Sequence, residues 1–498
     1  MELTAAKSVL SANHATTVTS GSFRPLNHFY PRVLNAQIHS LVAFFLRLSN
    51  RRIVERYCHL NPRVNAEYLS RVLSEPATHL RWAGADLFCT TTASGNRRLV
   101  VLETNSCPSG NKSMPPLSDE NEQAGYFTVV ERTFKASLKK RVNIDGDLAV
   151  LFDKNYTEAS GYAAAIADLT GEAVHLTPLP DDGDAPARFT KGVLEVRLDD
   201  GTWRPIRSAF RYVTQRPWAR IPVRTRTRIL NPIVACLAGG RNKLVATKAY
   251  ALYNAELAES GLQVTIPETV ADVAKTEVPL VVAQFGGHAV VKIPYGNAGQ
   301  GVFPILSKAE LEAFMSAEHP YDRFVVQSLI GNYSWSSTQR AGRFYHVGTM
   351  PDKRGDIYVA DLRMMVCAGA DGFRPVSIYA RRARTPLPRV VQPGAASWDF
   401  LGTNLSSKGA DGSWSADTDR LLLMDRKDFN TVGIGSDDLI EAYIQTVLAT
   451  RAIDEMARKL LTKKGDLRYK LFGSLDEDPI LLDEIRAGAE GGLREPSD

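Results

Sequence analysis

Apolar positions recur at helical spacing from Leu34 to Arg47 and again from Val64 to Leu73. The period then changes. Asp86-Leu-Phe-Cys-Thr90 and Arg98 to Glu103 read as two strands joined through a turn at Ser94-Gly95-Asn96, the second running into a polar loop from Asn105 to Gly110. Leu148 to Phe152, Ala159 to Ala167 and Ala173 to Leu176 have the sequence form of a β-α-β unit. Ser208 to Val213 predicts a further strand and Thr247 to Ser260 a helix. A short strand through Ala289, Val290 and Val291 ends on Lys292 and opens a glycine-rich loop to Gly301. Phe324 to Gln327 is another strand. Tyr358 to Cys367 pairs with Pro375 to Tyr379 through the Ala370-Asp-Gly372 turn, and a long helix from about Asp437 to Leu461 nearly closes the chain. The mixture predicts an α/β or α+β fold without internal repeats.

Composition narrows the classes. At 498 residues the chain is about three times the ~150-residue domain prior, so two or three domains are expected. Apolar residues at 44% and charged residues at 23% exclude a mainly disordered, collagen-like or coiled-coil chain. No apolar window is long enough for a membrane helix, and the first residues lack the pattern of a secretory signal. A net charge of +5 without a long basic block gives no reason to expect a nucleic-acid partner. The five cysteines are scattered, odd in number and without a C-x-x-C pair, so they read as reduced cytoplasmic thiols. A soluble cytoplasmic protein is expected, with no membrane partner.

Four segments carry candidate chemistry. In Val290-Val-Lys292-Ile-Pro-Tyr-Gly296-Asn297-Ala-Gly299-Gln300-Gly301 a strand ends on a lysine, and glycines then let backbone N–H groups approach a phosphate. In Glu103-Thr-Asn105-Ser-Cys-Pro-Ser-Gly110 alternate strand residues face one way, so Glu103 and Asn105 could share Mg²⁺, with Asp86 on the neighbouring strand as a third ligand. Asp361-Leu-Arg363 and Tyr379-Ala-Arg381-Arg382-Ala-Arg384 offer guanidinium forks for phosphate or carboxylate. The fourth, Leu401-Gly-Thr-Asn404-Leu-Ser-Ser-Lys408, is a polar loop. Taken singly, each has an ordinary reading: a mobile β-turn, a solvated strand end, a basic surface strand, a loop.

Together they resemble the ATP-grasp ligase superfamily. Lys292 and Gly296 to Gly301 match its strand lysine and phosphate-covering loop, and Phe324 to Ile330 matches its adenine-side hinge strand. Asp361 to Arg363, Arg381, Arg382 and Thr403 to Ser406 match the later motifs of the ribosomal-protein glutamate ligase type. In those relatives the strands bearing the Mg²⁺ ligands come last. Here Gly84-Ala-Asp86 and Glu103-Thr-Asn105 precede Lys292, an order similar to the circularly permuted, glutathionylspermidine synthetase-like ATP-grasp proteins. Asn231-Pro232 and the helix opened by Lys248 resemble a further segment of the permuted group, with Lys248 as the second nucleotide lysine and Lys243 as its rival. Glu484-Ile-Arg486 is a competing match in the unpermuted place, but Arg486 puts a cation where a metal ligand belongs, so Glu103 and Asn105 are preferred. The Arg-x-Asp of glutathionylspermidine synthetase is here Gly84-Ala-Asp86, which leaves the substrate open.

The resemblance implies a carboxylate–amine ligase that uses ATP and Mg²⁺, activates an acid as its acyl phosphate and releases ADP and phosphate. It assigns ATP to Lys248, Lys292, Gly296, Asn297, Gly299, Gln300, Gly301 and Gln327, Mg²⁺ to Asp86, Glu103 and Asn105, and transition-state charge to Arg363 and Arg382. Arg211 and Arg216 are candidates for receiving the acid, and Cys107 reads as a buried structural thiol. The expected layout is a flexible tail over 1–20, metal-ligand strands in 21–146, and a flanking α/β domain over 147–232. A nucleotide-clamping lobe over 233–335, a core sheet with closing helix over 336–470 and a tail from 471 to 498 complete it. A small-molecule phosphotransferase and a silent nucleotide-binding scaffold stay open as alternatives, as does a homo-oligomer.

Overall fold

The hairpin expected around Ser94-Gly95-Asn96 forms the middle of the molecule. In the computed structural model, which describes residues 12–117, 122–138, 144–180, 185–296, 299–408 and 414–491, β1 (Trp82–Thr91) pairs antiparallel with β2 (Arg97–Ser106), Asp86 opposite Glu103. The chain then runs through β3 (Asp147–Phe152), α1 (Tyr156–Thr170), β4 (Val174–Pro178) and β5 (Trp203–Tyr212). After α2 (Lys243–Leu257) come β6 (Ala289–Lys292) and β7 (Arg323–Ser328). The hairpin β8 (Ala360–Gly369) and β9 (Gly372–Arg382) follows, and then α3 (Ser436–Leu460). The fold is mixed α/β with several sheets.

Residues distant in the chain meet in the core sheet. Its order is Tyr345–His346, β1, β8, β9, Leu421–Leu422, with β2 on the outer side of β1. Arg363 lies opposite Asp86 across β8 and β1, and Asp361 opposite Arg381 across β8 and β9. α3 packs against this sheet. Because it is buried nearly all round, its charged residues need partners. Arg451 donates to the carbonyls of Val72, Glu75 and Pro76, and Asp454 accepts from the N–H groups of Thr78, His79 and Leu80.

The expected β-α-β unit is present, with β3 parallel to both β4 and β5 in a seven-stranded flanking sheet. A separate four-stranded antiparallel sheet runs Thr269–Ala274, β7, β6, Val302–Ile305.

Three differences from the sequence expectations have local causes. The helical pattern from Leu34 is broken into Pro31–Leu34 and Ser40–Arg47, because Ile38 bridges Asp425 and the His39 N–H bonds the Met424 carbonyl between them. Helix Asn50–Leu60 was not anticipated; its charge-rich sequence buries only a narrow stripe at Ile53 and Val54. Both ends of the chain also contribute structure. Thr16–Val18 pairs with β4, and helices Tyr469–Leu475 and Pro479–Gly491 follow the closing helix.

Candidate functional site

Between the inner end of β2 and the four-stranded sheet lies a solvent-open cleft, closed on a third side by the start of α2. Glu103 and Asn105 project from β2, Lys292 from the end of β6, Gln327 and Val325 from β7, and Lys243 from the first position of α2. The turn ahead of α2, Cys236–Gly240, brings Arg241 in beside them. At Gly240 a side chain would stand 2.5 Å from the Ala235 carbonyl and 2.7 Å from Ser106 Cβ, so the turn can approach β2 closely only because no Cβ is there.

Glu103, Lys243 and Lys292 form the centre. Lys243 Nζ donates to the Gly296 carbonyl at 2.6 Å and lies 3.8 Å from Glu103 Oε2, tying Gly296 to β2. Lys292 Nζ lies 3.4 Å from the Leu102 carbonyl. Burial drives the Lys292 ammonium down to about 8, with Glu103 opposing and Lys243 adding to the shift. Lys243 is lowered by burial too, against the pull of Glu103. Burial alone would raise Glu103, but Lys243, Lys292 and Arg363 outweigh it and keep the carboxyl below its ordinary value. Two ammoniums and the Arg241 guanidinium therefore face one cleft carboxylate. The excess of positive charge suits a polyanion.

Gly299 lies against Trp398. Gly299 and Gly301 hold φ of 78° and 68°, and a Cβ at Gly299 would come within 2.7 Å of Trp398 Cζ2. Gln300 is exposed, and Asn297 lies outside the described residues. At the far end of the cleft, buried Gln327 donates to Thr269 Oγ1 at 3.0 Å.

Two expected residues are replaced by neighbours. Lys248 is five positions beyond Lys243, about 140° round the helix at 3.6 residues per turn, so it points elsewhere and donates to the Leu475 carbonyl at 2.7 Å. Lys243, the rival, faces the cleft. On β9, Arg382 alternates with Arg381 and so projects from the other face, where its guanidinium lies 4.7 Å over the Tyr358 ring. Arg381 is the one beside Arg363.

The expected metal set separates into two parts. Asp86 is gripped by Arg363 through Nε and Nη2, at 2.5 and 2.6 Å, and by Arg381 at 2.9 Å. Burial opposes its charge, but these two guanidiniums hold its carboxyl well below the usual range. Both oxygens are engaged, so Asp86 does not fit a metal ligand. Asn105 Oδ1 accepts from Arg241 at 2.8 Å and its amide donates to Glu103 Oε1 at 3.2 Å. Among the described residues no group of three or more His, Cys, Asp or Glu side chains is arranged to hold a metal ion. Glu103, with 34% of its side chain exposed and no guanidinium fork on it, is the carboxylate of the expected set whose chemistry fits a hard cation.

Several other candidates are structural. Arg211 is fully buried, donating to the carbonyls of Asn231 and Val213 and to Cys236 Sγ. Arg216 pairs with Glu484 at 2.8 Å, and Glu484 also accepts from the N–H groups of Trp218 and Ala219, so this pair fastens the C-terminal helix and lies apart from the cleft. Cys107 donates to the Arg211 carbonyl, and burial pushes its thiol up to about 11.

Sequence reading missed Arg241 and Glu158. Buried Glu158, on the first turn of α1, accepts from Ser109 Oγ and from the N–H groups of Gly110 and Asn111, so the flanking domain fixes the loop after Asn105. Its position at the start of a predicted helix was the available signal.

No protein-family model matches the sequence, and no curated protein matches it. Among solved structures the chain is similar to a RimK domain protein ATP-grasp from Sphaerobacter thermophilus, at 14% identity over 47% of this chain and 90% of that one, with a TM-score of 0.28. It is similar to a glutathione synthetase-like effector from Globodera pallida, at 9% identity over 71% and 85%, with a TM-score of 0.37. It is also similar to D-alanyl-alanine synthetase A from Vibrio cholerae, at 11% identity over 52% and 94%, with a TM-score of 0.28.

Proposed function

We propose that the chain is an ATP-dependent carboxylate–amine ligase of the ATP-grasp kind, in circularly permuted order. The observation that carries the reading is the convergence of Lys243, Lys292 and Glu103 on one cleft between two sheets, with Gly296 of the glycine loop at its wall. A nucleotide lies with its base toward Gln327 and its phosphates on the two ammoniums. Glu103 and the Asn105 oxygen, once turned from Arg241, would hold Mg²⁺, which supplies charge neutralisation on the phosphates. Arg363 and Arg381, fixed by Asp86, stabilise charge developing on the transferred group. The acid's carboxylate oxygen takes the γ-phosphoryl group and ADP leaves. An amine then attacks the acyl carbon, loses its proton and expels phosphate. The loop from Gly296 to Gly301 keeps water from the activated acid.

The test is calorimetric titration of the full chain with ATP and Mg²⁺, followed by a search for acid- and amine-dependent phosphate release. Saturable binding that Lys243→Ala and Lys292→Ala each remove supports the reading. No binding at millimolar nucleotide overturns it. Phosphate found on an alcohol or amine product would make the chain a phosphotransferase.

A further inference from the structure

The flanking sheet has a reversal in its strand order next to the cleft. From β3 the chain goes through α1 to β4 on one side, and later returns as β5 on the other. In open α/β sheets, the crevice outside the carboxyl ends of the strands at such a reversal is where ligands bind. Here that crevice is edged by Asp153, Lys154 and Asn155 after β3 and by Val213 to Gln215 after β5.

Lys154 is held in place by its two neighbours. Asp153 accepts from the N–H groups of Thr214 at 2.8 Å and Gln215 at 2.6 Å. Asn155 donates to Ser109 Oγ at 2.9 Å and to the Tyr212 hydroxyl at 2.7 Å, and accepts from Lys112 at 2.5 Å. The backbone at Lys154 is thus pinned both to the β5 edge and to the loop after Asn105. The Lys154 ammonium itself has no hydrogen bond or ion pair among the described residues. The charged groups that act on it are Arg241, Asp153, Arg363 and Glu103, so it shares the electrostatic surroundings of the cleft. Burial, reinforced by Arg241 and Arg363, drives its pKa down to about 8 while Asp153 and Glu103 oppose the shift. Arg241 is engaged by Asn105 and the carbonyls of Ser106 and Cys107, and Arg363 by Asp86. With the phosphates on Lys243 and Lys292, the Lys154 ammonium is the one left without a partner for the acid's carboxylate, which it can meet through a charge-assisted hydrogen bond.

We propose that Lys154 receives the carboxylate of the acid substrate, in the crevice at the carboxyl ends of β3 and β5. This rests on the ligase reading for its function, although the carboxylate site can be tested without turnover. The experiment uses the full chain with a non-hydrolysable ATP analogue and Mg²⁺, and acetate, succinate and glutamate as probes. Acetylation of Lys154 by trace acetic anhydride is followed by mass spectrometry, and thermal shifts are recorded in parallel. At least one carboxylate should protect Lys154, and inorganic phosphate should not. Lys154→Met should bind that carboxylate about tenfold more weakly, the loss of one charge-assisted hydrogen bond, while keeping its affinity for the analogue, and Lys154→Arg should recover part of the loss. The inference is overturned if none of the three carboxylates protects Lys154, if phosphate protects it equally, or if Lys154→Met keeps the carboxylate shift. If the analogue fails to bind the native chain, the ligase reading falls on its own, and carboxylate protection still decides the role of Lys154.

Discussion

Arg363 meets Asp86 from directly across two paired strands, its Nε and Nη2 lying 2.5 and 2.6 Å from the two carboxylate oxygens. Arg381 approaches the same carboxylate from the next strand at 2.9 Å and also pairs with Asp361. All four side chains are nearly excluded from solvent, so removing one leaves charges with no water to replace it. Asp86→Asn is therefore expected to lower stability by about 3–5 kcal/mol, as for any broken buried ion pair. Urea unfolding reads this directly, and a loss under about 1 kcal/mol, the scale of an exposed pair, would return Asp86 to the metal ligands.

The lysines are separated by a comparison. Lys243→Ala and Lys292→Ala should each weaken ATP binding at least about tenfold, near 1.4 kcal/mol. Lys248→Ala should leave it unchanged, since that ammonium caps the Leu475 carbonyl. Equal losses from Lys248→Ala and Lys292→Ala would put the phosphates on the wrong side of α2.

Acidic residues divide in the same manner. Glu103→Gln should lose Mg²⁺-dependent nucleotide turnover with little change in melting temperature. Glu484→Gln should do the reverse, because Glu484 holds Arg216 and two backbone N–H groups. About 1.5–3 kcal/mol of stability is expected to go with those charged hydrogen bonds.

Lys292 sets a pH dependence. Its folded pKa of about 8 lies below the ~10.4 of an exposed lysine, so the folded state gives up the proton first. The penalty of burying its charge is present in full below pH ~8 and is relieved as pH rises toward ~10.4. Affinity for ATP should move the opposite way, falling above about pH 8 as the ammonium is lost. Titrating ATP at several pH values checks this, and a Lys292→Arg chain that binds should hold its affinity to higher pH. A native affinity flat to pH ~10 would show that Lys292 does not bear on the phosphates.

Gly299→Ala should keep the loop from seating. Its new methyl would stand 2.7 Å from Trp398 Cζ2, at a φ of 78° that side chains rarely adopt. Trp398 is 39% exposed, so its fluorescence should respond to ATP in the native chain and lose that response in the variant, with Trp398→Phe as the blank. A response unchanged by Gly299→Ala would show that the loop closes elsewhere.

The sequence was most legible where periodicity and turn chemistry agreed. The β1–β2 hairpin, the β-α-β unit and α3 all lie close to the expected places, because each pattern is local and strongly apolar. Glu103, Asn105, Lys292 and Gln327 also come together around one cleft, as strand alternation allowed. What sequence could not settle was facing. Lys243 against Lys248, and Arg381 against Arg382, are choices between residues of the same chemistry on one element, decided by how that element packs. Asp86 shows a third limit: a carboxylate beside a metal motif reads as a ligand until its guanidinium neighbours, 277 and 295 positions away in the chain, are seen.

The pairing of β1 with β8 also has a biosynthetic consequence. Arg363 and Asp86 are separated by 277 positions, so the core sheet can close only after most of the chain has left the ribosome. At about 5–20 residues per second, Glu103 waits many seconds before Lys292 emerges, and longer before β8 covers the exposed edge of β1. The flanking β-α-β unit, by contrast, is complete soon after residue 212 and can fold as a local platform. A nascent chain therefore carries an unpaired strand edge through much of its synthesis, and the cleft that Glu103 shares with Lys292 and Gln327 cannot form until β6 and β7 have emerged.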